Sequence, residues 1–195
     1  MSAYFDGSLW TQSYASPELS VVTHPRLAGL DSTHFAFLES STNNLVTYEF
    51  SGSSVSSIGN PLYLSGFSSS SSMTAIDSTH VVIYELISDT LKAYEWSYST
   101  LSWSETASLL IPTDAGVAVI TSFPGTNKIA FHENQNHKLS VYELSGSTFV
   151  KIGISLNTTY GIGVGVAGLS GLDENNIAFA SEGPLRDLRM YGFYE

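Results

Sequence analysis

The stretch GLDSTHFAFLE (residues 29–39) returns almost letter for letter as AIDSTHVVIYE (residues 75–85). Near-copies one period of 46 residues apart mark an array of supersecondary units, which few folds accommodate. Working outward, four segments align: residues 33–50, 79–96, 127–144 and 175–193, the last with one extra residue in its turn. Leu45, Leu91, Leu139 and Leu188 hold one register. Three residues after each comes a tyrosine (Tyr48, Tyr94, Tyr142, Tyr191), and six before each a glutamate (Glu39, Glu85, Glu133, Glu182). The spacing runs from 46 to 49 residues.

Each unit reads as β-structure. Its runs are short, rich in aromatic and β-branched residues, and bounded by Ser, Asn, Gly and Asp. No run of helical length carries helical periodicity. LDST, IDST and LDEN are tight-turn chemistry, with the Asp side chain set to accept from its own backbone two residues on. SGSS and SGST supply a second turn after the tyrosine strand. Four strands per unit follow; in the first unit they cover about residues 27–30, 34–39, 45–50 and 55–58. The middle strands are apolar on both faces: Leu45 and Thr47 point one way, Tyr48 and Phe50 the other. A sheet apolar on both faces is sandwiched by neighbours. The first strands, LAGL, MTAI and VAGL, are small, as strands crowded around an axis must be.

The chain stops at MYGFYE, after the third strand of the fourth unit. At the other end, FDGSLWTQ (residues 5–12) matches FSGSSVSS (50–57) and LSGSTFVK (144–151). The N-terminal strand is therefore expected to complete the last unit and close a ring, which leaves only short protected edges.

With these repeats and ends, the sequence resembles a β-propeller with velcro closure: all-β, a single domain over 1–195, four blades of four antiparallel strands. The units cover about 27–58, 73–106, 119–152 and 167–193 plus 5–14. In fold and blade chemistry it is similar to tachylectin-like and hemopexin-like propellers. The blade pattern DSTH, apolar run, L-x-x-YE, aromatic, SG-S also resembles repeats of bacterial and phage surface propellers. It has neither a hemopexin calcium signature nor a WD dipeptide, so no family's functional residues carry over.

Composition narrows the functions. The net charge is −11 with seven Lys and Arg, too few to cluster on phosphates, so nucleic acid and anionic membrane are not expected partners. Charged residues make up only 13%, which leaves a polar, weakly charged surface. The absence of cysteine excludes a disulfide scaffold and a thiolate zinc site. No apolar run approaches the roughly 18 residues of a membrane helix, and MSAYFDGSLW lacks the basic and apolar regions of a signal peptide.

Several constellations have two readings. GVGVAG (163–168) fits G-x-G-x-x-G, but a strand and turn follow it instead of a helix; its glycines suit a chain crossing between blades. Glu39, Glu85, Glu133 and Glu182 each end a second strand. They form either a carboxylate ring offering a cation site or polar rim, or four solvated hairpin ends copied by duplication. The five histidines lack metal-ligand spacing, and no metal or cofactor is expected. NTT at Asn157 fits a glycosylation sequon.

The between-blade connections vary most, and binding groups usually lie in loops on a rigid scaffold. Tyr63, Phe67 and Tyr160, with Asn60, Asp114 and Asn157, are the candidate ligand-binding set. Aromatics beside amides and carboxylates suit a sugar; alternatively the rings fill gaps between blades. The expectation is a non-catalytic, glycan-binding module for attachment or surface display, extracellular or on a virion, such as a phage tail, fibre or head decoration. The alternatives are a structural protein packing on other subunits, and a glycosidase or lyase with one unsymmetric pair of carboxylates.

Overall fold

The computed structural model describes residues 2–5, 10–14, 26–52, 54–111, 116–158, 168–180 and 188–193. It is a four-bladed β-propeller, and no helix occurs among the described residues. Blade 1 contains β3 (Arg26–Gly29), β4 (His34–Glu39), β5 (Asn44–Phe50) and β6 (Val55–Tyr63). Blade 2 contains β7 (Ser72–Ala75), β8 (His80–Glu85), β9 (Thr90–Ser97) and β10 (Ser102–Leu110). Blade 3 contains β11 (Ala118–Ser122), β12 (Lys128–Glu133), β13 (Lys138–Ser145) and β14 (Thr148–Asn157). Blade 4 contains β15 (Gly168–Gly171), β16 (Asn176–Ala180) and β17 (Leu188–Gly192). Each is an antiparallel meander in sequence order.

The inner strands succeed one another, β3 beside β7, β7 beside β11, β11 beside β15. Three apolar layers fill the gaps between blades. Leu38 and Leu45 of blade 1 pack with Ile83 and Trp96 of blade 2. Tyr84 and Leu91 of blade 2 pack with Phe131 and Leu144 of blade 3. Leu139 and Val141 of blade 3 pack with Ile177 of blade 4 and, at the margin, Tyr191. Both faces of blades 2 and 3 are therefore buried, which is why their middle strands are apolar throughout.

The N-terminal expectation is corrected. Among the described residues blade 4 has three strands, while β1 (Ser2–Phe5) and β2 (Trp10–Tyr14) form a two-stranded sheet of their own. The match to the other blades is nevertheless one of register. Phe5 pairs with Trp10 as Phe50 pairs with Val55 and Leu144 with Phe149. The matched motif spans the end of a third strand as well as the fourth. Asp-Gly between two aromatic runs is a hairpin signal, and the segment pairs with itself.

The fourth strands extend further than expected. A bulge interrupts their pairing opposite the third strand in blades 1, 2 and 3, and pairing then resumes. The fourth strand carries one extra residue at this point in blade 2 and two in blades 1 and 3, and such extra residues leave the ladder locally unpaired and bend the strand. In blade 1 the bulge contains Gly59 at φ +69°, where a Cβ would collide with the Leu101 carbonyl. That close approach lets the Asn60 N–H donate to Leu101 O at 3.0 Å, joining blade 1 to blade 2.

Candidate functional site

The copied Asp turns at the ends of the inner strands behave as their sequence implies. Asp31 Oδ1 accepts from the N–H groups of Thr33 (2.7 Å) and His34 (2.8 Å). Asp77 Oδ1 accepts from Thr79 and His80 at 2.7 Å each. Asp173 Oδ1 accepts from Asn175 and Asn176 at 2.8 Å each. The side chain that follows the Thr or Asn also faces the carboxylate in an equivalent way: His34 Nδ1, His80 Nδ1 and Asn176 Nδ2 each lie 2.9 Å from the other carboxylate oxygen. Burial opposes ionisation of Asp77, but these N–H donors and His80 outweigh it and hold its carboxyl below the usual range. In blade 3 the turn has no aspartate; Thr126 takes over, donating its hydroxyl to Phe123 O at 2.9 Å.

Two depressions lie among these turns. The larger, about 650 Å³, sits between Leu30 of blade 1, Ile76, Asp77 and Ser78 of blade 2, and Pro124 and Asn127 of blade 3. The second, about 550 Å³, is lined by residues 172–176 and shares Pro124 as its ridge. Apolar patches at Leu30, Ile76, Pro124 and Leu172 alternate with hydroxyl, amide and carboxylate groups. Neither lining includes a lysine or arginine.

The four described members of the sequence-derived ligand set do not share one site. Tyr63 is exposed at the end of β6, and Asn60 is exposed in the same strand. Asn157 is exposed at the end of β14, on blade 3. Phe67, expected in an exposed loop, is instead fully buried between blades 1 and 2. The ring-filling alternative holds for it: the connection folds inward because its serines bond one another, Ser71 Oγ accepting from Ser68 N and Leu86 N at 3.1 Å each. Asp114, Tyr160 and Glu182 lie outside the described residues.

The three described glutamates, Glu39, Glu85 and Glu133, are not freely solvated hairpin ends. Glu85 is buried, accepting 2.6 Å from the Tyr94 hydroxyl and lying 3.3 Å from Lys92 Nζ, which also meets Glu105 at 3.3 Å. Burial and then Glu85 push the Tyr94 phenol upward. Glu133 is buried and accepts from Asn136 Nδ2 at 2.9 Å; burial, then its charge, raises the Tyr142 phenol. Glu39 is half-buried, taking Thr42 Oγ1 at 2.7 Å and Tyr48 Oη at 3.5 Å. Glutamate and tyrosine repeat together because they meet within one blade. No group of three or more metal-binding side chains occurs among the described residues. Glu133 also lines a third cavity of about 380 Å³ between β10 and β14, with Lys138, Tyr142 and Lys151.

No protein family matches the sequence, and no curated protein matches it. Solved structures do match, and they agree on fold. Sqt1 of Saccharomyces cerevisiae superposes with a TM-score of 0.57 at 10% identity, over 80% of this chain and 41% of Sqt1. A putative 6-phosphogluconolactonase from Bacteroides uniformis gives 0.54 at 12% identity, over 95% of this chain and 61% of that one. The β-propeller domain of Cps50 (Swd1) from Myceliophthora thermophila gives 0.54 at 8% identity, over 83% and 51%. The chain thus spans between 41 and 61% of the length of these structures. At such identities the likeness is one of fold.

Proposed function

We propose that this propeller is a non-catalytic binding module for neutral glycans, used for attachment or surface display, as on a phage tail, fibre or head. One observation supports it: the paired depressions on the turn face, where apolar patches alternate with hydroxyl, amide and carboxylate groups and no cation lines either. A sugar offers a C–H face to the first kind of surface and hydroxyls to the second. Asp77, Asp173 and Glu174 disfavour sialylated or sulfated ligands. Asp77 is committed to its own turn and held below the usual carboxylate range, which suits a rigid acceptor better than a general acid.

A printed array of neutral and sialylated oligosaccharides tests this reading. Binding to neutral glycans, lost on plugging the larger depression with Ser78→Tyr, is the expected result. Absence of binding at high protein density, preference for acidic glycans, or indifference to the plug would each overturn it.

The alternative, a structural protein packing on other subunits, is favoured by a different observation: the exposed apolar side chains of Leu27 in blade 1 and of Leu188 and Met190 in blade 4.

A further inference from the structure

Blades 2 and 3 align residue by residue, and the polar groups on their equivalent faces differ in charge. In blade 2 an ammonium sits between two carboxylates: Lys92 Nζ lies 3.3 Å from Glu85 Oε2 and 3.3 Å from Glu105 Oε2. Glu85 is buried and accepts from the Tyr94 hydroxyl, and Glu105 stands opposite Tyr94 across the ladder. In blade 3 Glu133 and Tyr142 keep the places of Glu85 and Tyr94, and both are buried. Ser140, directly after the repeat leucine, takes the register of Lys92. Lys151, which stands opposite Tyr142, takes that of Glu105.

That exchange makes a cavity. Glu133 and Lys151, the counterparts of the two carboxylates that Lys92 joins, both line the space of about 380 Å³ between β10 and β14. A serine does not span the place that the Lys92 side chain fills; the Ser140 hydroxyl meets Ser155 Oγ at 2.8 Å, and Lys151 Nζ donates to that same oxygen. Lys138, opposite Glu133 across the ladder where blade 2 has Thr90, adds a second cation to the lining. Leu109, Ile111 and Phe149 supply an apolar wall. The cavity shares no residue with the two depressions at the turns.

We propose that this cavity binds a free α-amino acid with an apolar side chain, its ammonium on Glu133, its carboxylate on Lys151 and its side chain against Leu109, Ile111 and Phe149. Blade 2 is the template. There the chain itself supplies the ammonium, and the outer partner of that ammonium is a carboxylate. In blade 3 the outer partner is a lysine, so a ligand completes the arrangement by bringing an ammonium for the buried glutamate and a carboxylate for the lysine. Bonds with charge on both partners are the strong ones, and two of opposite sense fix the direction in which the ligand lies. The apolar wall then selects the side chain, as in small-molecule sites generally.

Isothermal titration calorimetry of the full chain with L-leucine tests this. Saturable binding is expected. N-acetyl-L-leucine, L-leucinamide and L-serine lack in turn the ammonium, the carboxylate and the apolar side chain, and each is expected to bind about tenfold more weakly or worse. Lys151 is exposed, so Lys151→Met is expected to keep the wild-type far-ultraviolet dichroism while losing L-leucine to the same degree. Ser140→Lys combined with Lys151→Glu rebuilds the blade 2 trio and is expected to abolish binding in a folded protein. No binding of L-leucine to the wild type, equal binding of the acetyl, amide or serine probe, or either variant binding as the wild type does would overturn the proposal.

Discussion

The Tyr94 hydroxyl donates a 2.6 Å hydrogen bond to Glu85, a carboxylate almost fully withdrawn from water. The two stand nine residues apart, on neighbouring strands of one blade. A buried carboxylate short of a donor carries its full desolvation penalty, so Tyr94→Phe is expected to cost about 1–3 kcal/mol. In blade 1 the same pair, Tyr48 and Glu39, is 3.5 Å apart and half-exposed. Tyr48→Phe is expected to cost under about 1 kcal/mol. Urea unfolding of the two variants checks the order; equal costs would refute the account of why the pair recurs.

The connection between blades 1 and 2 shields that carboxylate. A Cβ at Gly66 would overlap Glu85 Oε2 and stand 2.6 Å from Ser88 Oγ, so a larger residue must displace the buried carboxylate from its partners. Gly66→Ala is expected to destabilise by about 1–3 kcal/mol through overpacking. The cost should fall by half or more in a Glu85→Ala background, where the obstructing carboxylate is gone and only the Ser88 hydroxyl remains in the way. Additive costs in that double-mutant cycle would show that the collision is not the cause.

The repeat made the blades legible because Leu45, Leu91, Leu139 and Leu188 sit in one register, and duplication preserves what every blade needs. The same logic misled at the N-terminus. Residues 5–12 match a third-strand end, a turn and a fourth strand together, and pairing partners cannot be read from a match alone. The first blade's fourth strand reads short because Gly59 and Asn60 interrupt it at the bulge, beyond which the pairing resumes. Phe67 was misplaced because Ser and Gly on both sides read as an exposed loop, although Ser68 and Ser71 bond inward. The depressions lie at the copied turns, whereas chain variability had pointed to the opposite connections.

His132 is fully buried against the Phe179 ring, its Nε2 2.9 Å from Thr158 Oγ1 and its Nδ1 without a partner. Burial, and secondarily the charge of His137, lowers its pKa to about 4. The unfolded chain, with an ordinary value near 6.5, binds the proton first as pH falls. Stability from this residue is thus complete above about pH 6.5 and drains away toward pH 4, at up to about 1.4 kcal/mol per pH unit. His132→Gln should flatten that limb. Unfolding free energies at pH 7 and 4.5 for both proteins provide the check, and an identical loss in each would rule the assignment out.

Tyr98 ties two blades together at the turn face. Its hydroxyl donates to Asp31 Oδ2 of blade 1 at 2.8 Å and lies 3.2 Å from Ser78 O of blade 2, and its ring meets His34 edge-on. Burial, then the Asp31 bond and charge, raises the phenol to about 12. For Asp31, burial opposes ionisation, but the Thr33 N–H, the Tyr98 hydroxyl and His34 together hold its carboxyl well below the usual range. A depressed carboxyl contributes stability above its unfolded value near 4, lost as pH falls through the folded one. Asp31→Asn removes the charge while keeping an acceptor, so one phenol should return toward 10. Ultraviolet difference titration between wild type and variant should show a single tyrosine moving down from about 12. Superimposable curves would mean that the Tyr98–Asp31 bond does not link the blades in solution.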